Sequence, residues 1–98
     1  MELNQVRYFV MLCRERSFTR AAERCSVAQP SLTNGIKALE RELGILFVRR
    51  PTVRLTPLGE KLRPHLEQIQ RSADEVQAAC RATSHTAPRL VTNAELGL

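Results

Sequence analysis

Aromatic residues are scarce in this chain of 98 residues, which has no tryptophan, one tyrosine and three phenylalanines. A sheet sandwich draws on aromatic and β-branched side chains for its core, whereas packed helices can use leucine, isoleucine, valine and alanine. Hydrophobic residues still make up 43% of the sequence, which is enough apolar material for one small core. The composition therefore favours a mainly α-helical domain.

The groups that mark enzymes and metal proteins are also missing from the sequence. It contains no nucleophile motif, no glycine-rich phosphate loop and no cluster of metal ligands. Cys13, Cys25 and Cys80 are far apart and form no C-x-x-C pair, so neither a disulfide framework nor a zinc site is indicated. His65 and His85 have no partner residues in the sequence that would indicate catalysis or metal binding. We expect no enzymatic activity, no metal and no cofactor.

Long apolar segments are absent as well. The chain is charged from Glu2 onward, and no apolar run approaches the length of a membrane span. We therefore expect no membrane partner and a location in the reducing cytoplasm. In that compartment Cys13 and Cys25, which fall on apolar faces, are expected to be small core residues.

Positive charge is present, and its placement is uneven. The net charge is +5, and residues 1–56 hold ten Lys or Arg against five Asp or Glu, which accounts for all of it. Residues 57–82 hold four charges of each sign and are neutral. A basic front and a neutral rear are typical of a polyanion-binding module with a structural appendage. On charge alone, a solvated basic surface is an equal alternative.

Three helices are predicted in the first half of the chain. The first is predicted from Leu3 to about Arg16, where helical spacing places on one core-facing side Leu3, Val6, Phe9, Val10 and Cys13. Ser17 is a good N-cap for a short second helix. The third is predicted over about 29–43, with Pro30 in its first turn and Gly44 at its end. Its apolar stripe consists of Leu32, Ile36, Leu39 and Leu43.

Two short β-prone stretches follow, at residues 45–47 and 53–55, on either side of the basic segment Arg49-Arg50-Pro51-Thr52. Helix, short helix, turn, polar-faced helix and basic hairpin, in this order, predict a winged helix-turn-helix over residues 1–57. In that geometry the third helix enters the major groove of DNA, and the hairpin, or wing, lies beside it against phosphates or the minor groove.

A long fourth helix is predicted after Thr56-Pro57, which combine a cap and a first-turn proline. Its apolar residues follow each other mainly in alternating steps of four and three, the pattern of a coiled-coil seam that pairs two subunits. They are Leu58, Leu62, Leu66, Ile69, Ala73 and Val76, with Cys80 on the same seam. Pro64 is expected to kink this helix near its start. We assign residues 58–82 to the dimerisation helix and 83–98 to a linker or disordered tail.

Several motifs of the chain resemble the LysR-type transcriptional regulators. They are Ser17-Phe18-Thr19-Arg20-Ala21-Ala22, Val27-Ala28-Gln29-Pro30-Ser31-Leu32-Thr33, Ile36-Lys37-Ala38-Leu39-Glu40-Arg41-Glu42-Leu43-Gly44, Leu46-Phe47-Val48-Arg49 and Leu55-Thr56-Pro57-Leu58-Gly59-Glu60. The resemblance covers residues 1 to about 82. It implies a homodimeric DNA-binding regulator with a winged helix-turn-helix, a long linker helix and a large C-terminal effector-binding domain. The 98 residues do not include that last domain, so we expect this chain to bind double-stranded DNA and no small-molecule effector.

The residues expected to contact DNA come from the third helix, the second helix and the wing. On the third helix, side-chain chemistry selects Gln29, Ser31, Thr33, Asn34 and Lys37. The resemblance supports the first four of these and adds Pro30. Gln and Asn can pair bidentately with adenine, and Lys can reach guanine. Arg50 and Arg54 are assigned to phosphate or minor-groove contacts of the wing. For Arg20, a phosphate contact and an exposed charge without a role are equal alternatives. For Arg49, a wing contact and a structural role at the edge of the core are equal alternatives.

Two residues depart from the family pattern. Ala28 stands where the family usually has Ser, so we expect a capping and phosphate contact to be absent. Gly35 lies inside the third helix, where it costs about 1 kcal/mol of helix propensity relative to Ala. We expect it to leave a bare patch on the side that faces the groove.

The missing effector domain motivates a second hypothesis from another class. The chain would then be an interaction protein that uses residues 58–80 to pair with a full-length regulator and modulate it. Heterodimer formation with such a regulator separates the two hypotheses.

Overall fold

The computed structural model describes residues 1–83, which form four helices and one two-stranded sheet. In chain order they are α1 (Leu3–Glu15), α2 (Phe18–Arg24), α3 (Gln29–Leu43), β1 (Phe47–Val48), β2 (Arg54–Leu55) and α4 (Pro57–Thr83). The strands are antiparallel, with Phe47 opposite Leu55 and Val48 opposite Arg54. This confirms the predicted winged helix-turn-helix followed by a long helix. Of the tail predicted at 83–98, Thr83 ends α4 and the rest lies outside the described residues.

The predicted capping residues are found at the helix ends. The Ser17 hydroxyl oxygen accepts a hydrogen bond from the Arg20 amide at 3.1 Å and so caps α2, whose first residue is Phe18. Gly44 ends α3 with φ = +114°, a backbone conformation that favours glycine. Ala28 precedes α3 without a side-chain cap, as its identity predicts.

Thr56 caps α4 and also ties it to the end of α3. Its hydroxyl oxygen accepts from the Gly59 amide at 3.0 Å, and the hydroxyl donates to the Ile45 carbonyl at 2.7 Å. Its own amide donates to the Leu46 carbonyl at 2.9 Å. The turn that follows α3 and the first turn of α4 are therefore joined at one residue.

The core lies between α1 and the three other helices. The largest fully buried side chains include Phe9, Leu12, Leu32, Ile36, Leu39 and Leu46. The rings of Phe9 and Phe47 lie 5.3 Å apart and connect α1 to the wing. Helix α1 packs against α2, α3 and α4, so its buried face is wide and includes Tyr8 and Leu12, which the spacing alone did not single out.

The prediction that Leu3 joins the core face of α1 is wrong, because this side chain is 61% exposed. Leu3 shares its spacing with Val6 and Phe9, but it lies in the first turn of the helix. There it lines a surface groove with Ala73 and Gln77 of α4. Helical spacing gave the correct side of α1. It could not show how far along α1 the neighbouring elements cover that side.

The expectation that Gly35 leaves a bare patch on the groove side of α3 is wrong, because Gly35 faces the core. A Cβ atom at this position would lie 2.6 Å from Cδ2 and 2.8 Å from Cε2 of Tyr8. Tyr8 is buried, so its ring cannot move away freely. The glycine permits α1 and α3 to approach each other closely, and this contact explains why a weak helix former stands inside α3.

The apolar stripe of α4 divides into two parts. Leu66 is only 3% exposed, and Leu58, Leu62 and Ile69 pack against the core of the same chain. Val76, by contrast, is 69% exposed, and every residue from 74 to 83 is exposed. The first half of the predicted seam thus packs against the chain's own core, and its outer half is exposed. Pro64 lies inside the continuous helix, and a kink there stays a prediction.

Cys13 and Cys25 are buried, as predicted, and Cys80 is exposed. Burial raises the pKa of the Cys13 thiol from its ordinary value of 9.0 to about 11, and burial also raises the pKa of Cys25. Both thiols are therefore protonated at neutral pH and serve as small apolar side chains. In the part of the chain that is described, no helix is long and apolar enough to cross a membrane.

We expect Gly35→Ala to destabilise the protein by about 1–3 kcal/mol, because overpacking against Tyr8 outweighs the gain in helix propensity. Urea unfolding measures the change. The same substitution in a Tyr8→Leu background is the control, since a smaller side chain at position 8 relieves the collision. A higher unfolding midpoint for the single Gly35→Ala variant would contradict the assigned contact.

Candidate nucleic-acid interface

The exposed face of α3 carries the polar residues that the sequence assigned to DNA. Leu32, Ile36 and Leu39 turn one side of the helix into the core, and the 3.6-residue period leaves the other side to solvent. On that side Thr33 is half-buried and the remaining assigned residues are exposed: Gln29, Pro30, Ser31, Asn34 and Lys37. We call this set of six residues the α3 face.

The wing stands next to the α3 face, with an open concave surface between them. Gln29, Thr33 and Lys37 line this surface from α3. Arg49, Arg50, Pro51 and Val53 line it from the wing, and Phe18 from α2. The structure therefore brings Arg50 to the same surface as three residues of the α3 face, although thirteen or more positions separate them in sequence.

Arg54 lies elsewhere on the wing. It lines a second cavity, between the end of α1, the wing and α4, together with Arg16, Glu60 and Arg63. Within residues 1–83, no acidic side chain lies within ion-pair distance of Arg54, Arg50 or Lys37. Their charges are not neutralised by an intramolecular ion pair in this part of the chain.

Arg20 is partly engaged within the protein. Its Nη2 donates to the Glu15 carbonyl at 2.8 Å, and its Nε lies 3.6 Å from a Glu15 carboxylate oxygen. Arg24 shares the same carboxylate, with its Nε 3.4 Å from the other oxygen. Glu15 thus restrains both arginines of α2 at the end of α1, while their side chains stay largely exposed.

Arg49 is held by a buried carboxylate rather than left free at the tip of the wing. Its Nη2 donates to Oε1 of Glu40 at 3.0 Å. Its guanidinium carbon lies 5.2 Å from the centre of the Phe18 ring, which is within the range of a cation–π contact. Of the two roles considered for Arg49, this geometry supports the structural one.

Glu40 is the one buried residue of the described chain that is charged or polar, and it is 6% exposed. Its Oε2 accepts hydrogen bonds from the amides of Leu46 at 2.9 Å and Phe47 at 3.1 Å. The sequence interpretation missed this residue. A signal was present, since Glu40 stands four residues after Ile36 and three before Leu43, and so continues the apolar stripe of α3.

No metal site is evident in the described region: among residues 1–83, no group of three or more His, Cys, Asp or Glu residues is placed to hold an ion. The chemistry that these surfaces offer is charge attraction and hydrogen bonding. Cationic guanidinium and ammonium groups lie beside amide and hydroxyl groups on one open surface. Such a combination suits a polyanion whose edges also carry donors and acceptors.

Comparison with known proteins places this architecture in a family. The profile of the family described as "Bacterial regulatory helix-turn-helix protein, lysR family" matches residues 3–60. The chain is 44% identical over 84 residues to the probable cat1 operon transcriptional activator of Acinetobacter lwoffii, covering 83% of this chain. It spans only 27% of the length of that relative.

Solved structures give the same result. A full-length OxyR variant from Pseudomonas aeruginosa is similar with a TM-score of 0.78 and 41% identity, covering 87% of this chain and 30% of that one. A complex of the BenM DNA-binding domain with catB site 1 DNA is similar with a TM-score of 0.76 and 34% identity, covering 88% of this chain and 99% of that one. These matches give no support to the alternative of an interaction protein. The chain belongs to the lysR family of bacterial regulatory helix-turn-helix proteins.

Proposed function

We propose that the chain is the DNA-binding part of a transcription regulator and binds a specific duplex as a homodimer, with α3 in the major groove. The wing then lies against the adjacent backbone or minor groove. The observation that supports this most is the shared surface of Arg50 and the α3 face. The similarity to a DNA-binding domain solved on DNA adds to it. We propose no enzymatic activity, and a cytoplasmic location follows from access to DNA.

The proposed contacts divide by chemistry. The amide groups of Gln29 and Asn34 and the ammonium group of Lys37 can pair with base edges, and the hydroxyls of Ser31 and Thr33 can serve base or phosphate. Pro30, in the first turn of α3, would bring its ring near the DNA backbone. In this proposal, α3 determines which DNA sequence is bound.

Arg50, Arg54 and Arg20 supply phosphate contacts, which provide affinity that falls as salt rises. The excess of Lys and Arg in residues 1–56 supports this strong electrostatic contribution. Arg20 would contact phosphate from its position beside Glu15. Arg49 we assign to the support of the wing, because Glu40 already holds it.

Pairing of two chains is proposed through the outer half of α4. Leu58, Leu62, Leu66 and Ile69 pack in or against the core of their own chain, so the partner would contact the part of the stripe that follows Ile69. Val76 is an exposed apolar side chain on that stripe, and Ala73 is small enough to let another helix approach closely. Burial of this stripe against a second copy would remove apolar surface from water.

Selection of bound duplexes from a random pool, at near-physiological salt, tests the proposed function directly. We expect enrichment of an inverted repeat with a fixed spacing, because a two-fold dimer presents two copies of α3 about one helical turn of DNA apart, or a multiple of that. Recovery of no motif by a folded protein would sink the proposal.

Substitutions separate base contacts from phosphate contacts. We expect Asn34→Ala to relax the sequence preference and to cost about 1–3 kcal/mol on the preferred duplex. Arg50→Ala should weaken all duplexes alike and lower the salt slope by about one ion. Titrations at several salt concentrations measure both effects. Arg71→Ala is the matched control, since it removes an exposed arginine of α4 and should change neither quantity.

We expect Val76→Asp to shift the dimer towards monomer, because it places a charge in the proposed apolar contact. Light scattering or sedimentation measures the mass. Ala78→Asp is the control: position 78 is about 200° away around the helix, so the same charge should leave the dimer intact. A dimer that withstands Val76→Asp as well as Ala78→Asp would refute the proposed contact.

A further inference from the structure

The carboxylate of Glu40 joins α3 to the start of the wing. Glu40 lies in the last turns of α3, and its two oxygens have separate tasks. Oε2 accepts from two consecutive amides, those of Leu46 and Phe47, and Oε1 accepts from the Arg49 guanidinium. All three donors belong to the four residues that lead into and out of β1. The orientation of the first wing strand relative to α3 is therefore fixed by one side chain.

Arg49 extends this connection to α2. Its guanidinium lies over the ring of Phe18, the first residue of α2, while it donates to Glu40 of α3. Phe18 and Arg49 also line the concave surface beside Gln29 and Thr33. Three elements thus meet at one ion pair: the first motif helix, the recognition helix and the wing.

We propose that Glu40 and Arg49 are positioning residues that fix the wing relative to α3, so that Arg50 and the α3 face meet the same DNA duplex in a single rigid arrangement. Arg49 itself does not contact DNA. This proposal rests on the proposed function and adds to it a division of labour between neighbouring arginines. Arg49 holds the wing in place, and Arg50 contacts DNA from that fixed position.

The physical basis is preorganisation. Arg50 can contribute to affinity only if it stands near phosphate when α3 occupies the groove, and a wing free to move would have to be ordered at the moment of binding. The pair removes that cost in advance, because Glu40 is buried and fully used by its three donors. Loss of the pair should therefore remove the contribution of Arg50 without altering Arg50.

Charge and positioning predict opposite results for Glu40→Gln. Removal of a negative charge makes the domain more positive, which by itself strengthens binding to DNA. Loss of positioning weakens it. Glu42→Gln is the matched control, since Glu42 is exposed near the same end of α3, where it pairs with the Met1 amino group at 3.1 Å. It removes the same charge without touching the wing.

The experiment measures the dissociation constant and its salt slope on the selected duplex for the full chain and its variants. We expect Glu40→Gln to weaken binding about tenfold and to lower the salt slope by about one ion, as Arg50→Ala does. Glu42→Gln should leave binding unchanged or slightly tighter. The double variant Glu40→Gln with Arg50→Ala should bind no more weakly than either single variant, because both remove the same contact.

Arg49→Lys serves as the second variant, should Glu40→Gln fail to fold. It keeps the charge but not the planar guanidinium that bonds Glu40 while it lies over Phe18. Circular dichroism and urea unfolding establish that each variant is folded at the temperature of the binding measurement. We expect Arg49→Lys to reproduce the reduced salt slope of Arg50→Ala.

Two results would overturn the inference while the proposed function stands. One is equal binding by the Glu40→Gln and Glu42→Gln variants, and the other is a double variant whose loss is the product of the two single losses. Absence of DNA binding by the unmodified chain would instead refute the proposed function. A normal affinity of the Arg50→Ala variant would refute the proposed wing contact. Either result would remove the basis of the inference.

Discussion

A buried carboxylate holds the two halves of the candidate DNA-binding surface together. Removal of a charged group from water costs several kcal/mol, and this cost is offset only where hydrogen bonds replace the lost solvation. Glu40 receives three such bonds from Leu46, Phe47 and Arg49. Because a two-stranded wing is too small to be stable alone, its place on the domain depends on this anchor and on the packing of Phe47 against Phe9.

Helix α1 has the complementary task of holding the recognition helix from behind. Its Tyr8 ring packs on the bare backbone at Gly35, and its apolar side contacts α2, α3 and α4. The candidate DNA-binding surface is therefore supported on its inner side by close helix packing and on its outer side by the ion pair at the wing. Along α3, Gly35 directly follows Asn34 and Glu40 lies about one turn beyond Lys37, two of the residues assigned to base contacts.

The sequence was most informative where a local rule decides the structure. Ser17, Pro30, Gly44 and Thr56 mark helix ends by chemistry that needs no knowledge of the fold, and each lies at the predicted helix end. Polar spacing likewise placed the α3 face on one side of its helix. What that face contacts stays a prediction, because only a partner can test it.

Prediction failed where the outcome depends on which neighbour covers a face. Leu3 has the spacing of a core residue but no neighbour to bury it, and Gly35 was assigned to the wrong side of α3. The stripe of α4 is uniform in sequence, yet only its first half is covered by the core. Glu40 could not be recognised from its residue type, since its donors come from a segment that begins six residues later. Hydrophobic periodicity shows which side of a helix faces the core. It does not show over what length of the helix other elements cover that side.

The burial of Leu66 has a mechanical consequence for any assembly of two chains. Because the first half of α4 packs into the core, it is held together with α3 and the wing in one packed unit. In the proposed pairing, the angle at which the two outer halves cross would determine both the distance and the relative rotation of the two copies of α3. A small change in that crossing angle would shift the two α3 helices by a larger distance, because they lie far from the contact. The register of the two half-sites along the duplex would thus be set by a contact that never touches DNA.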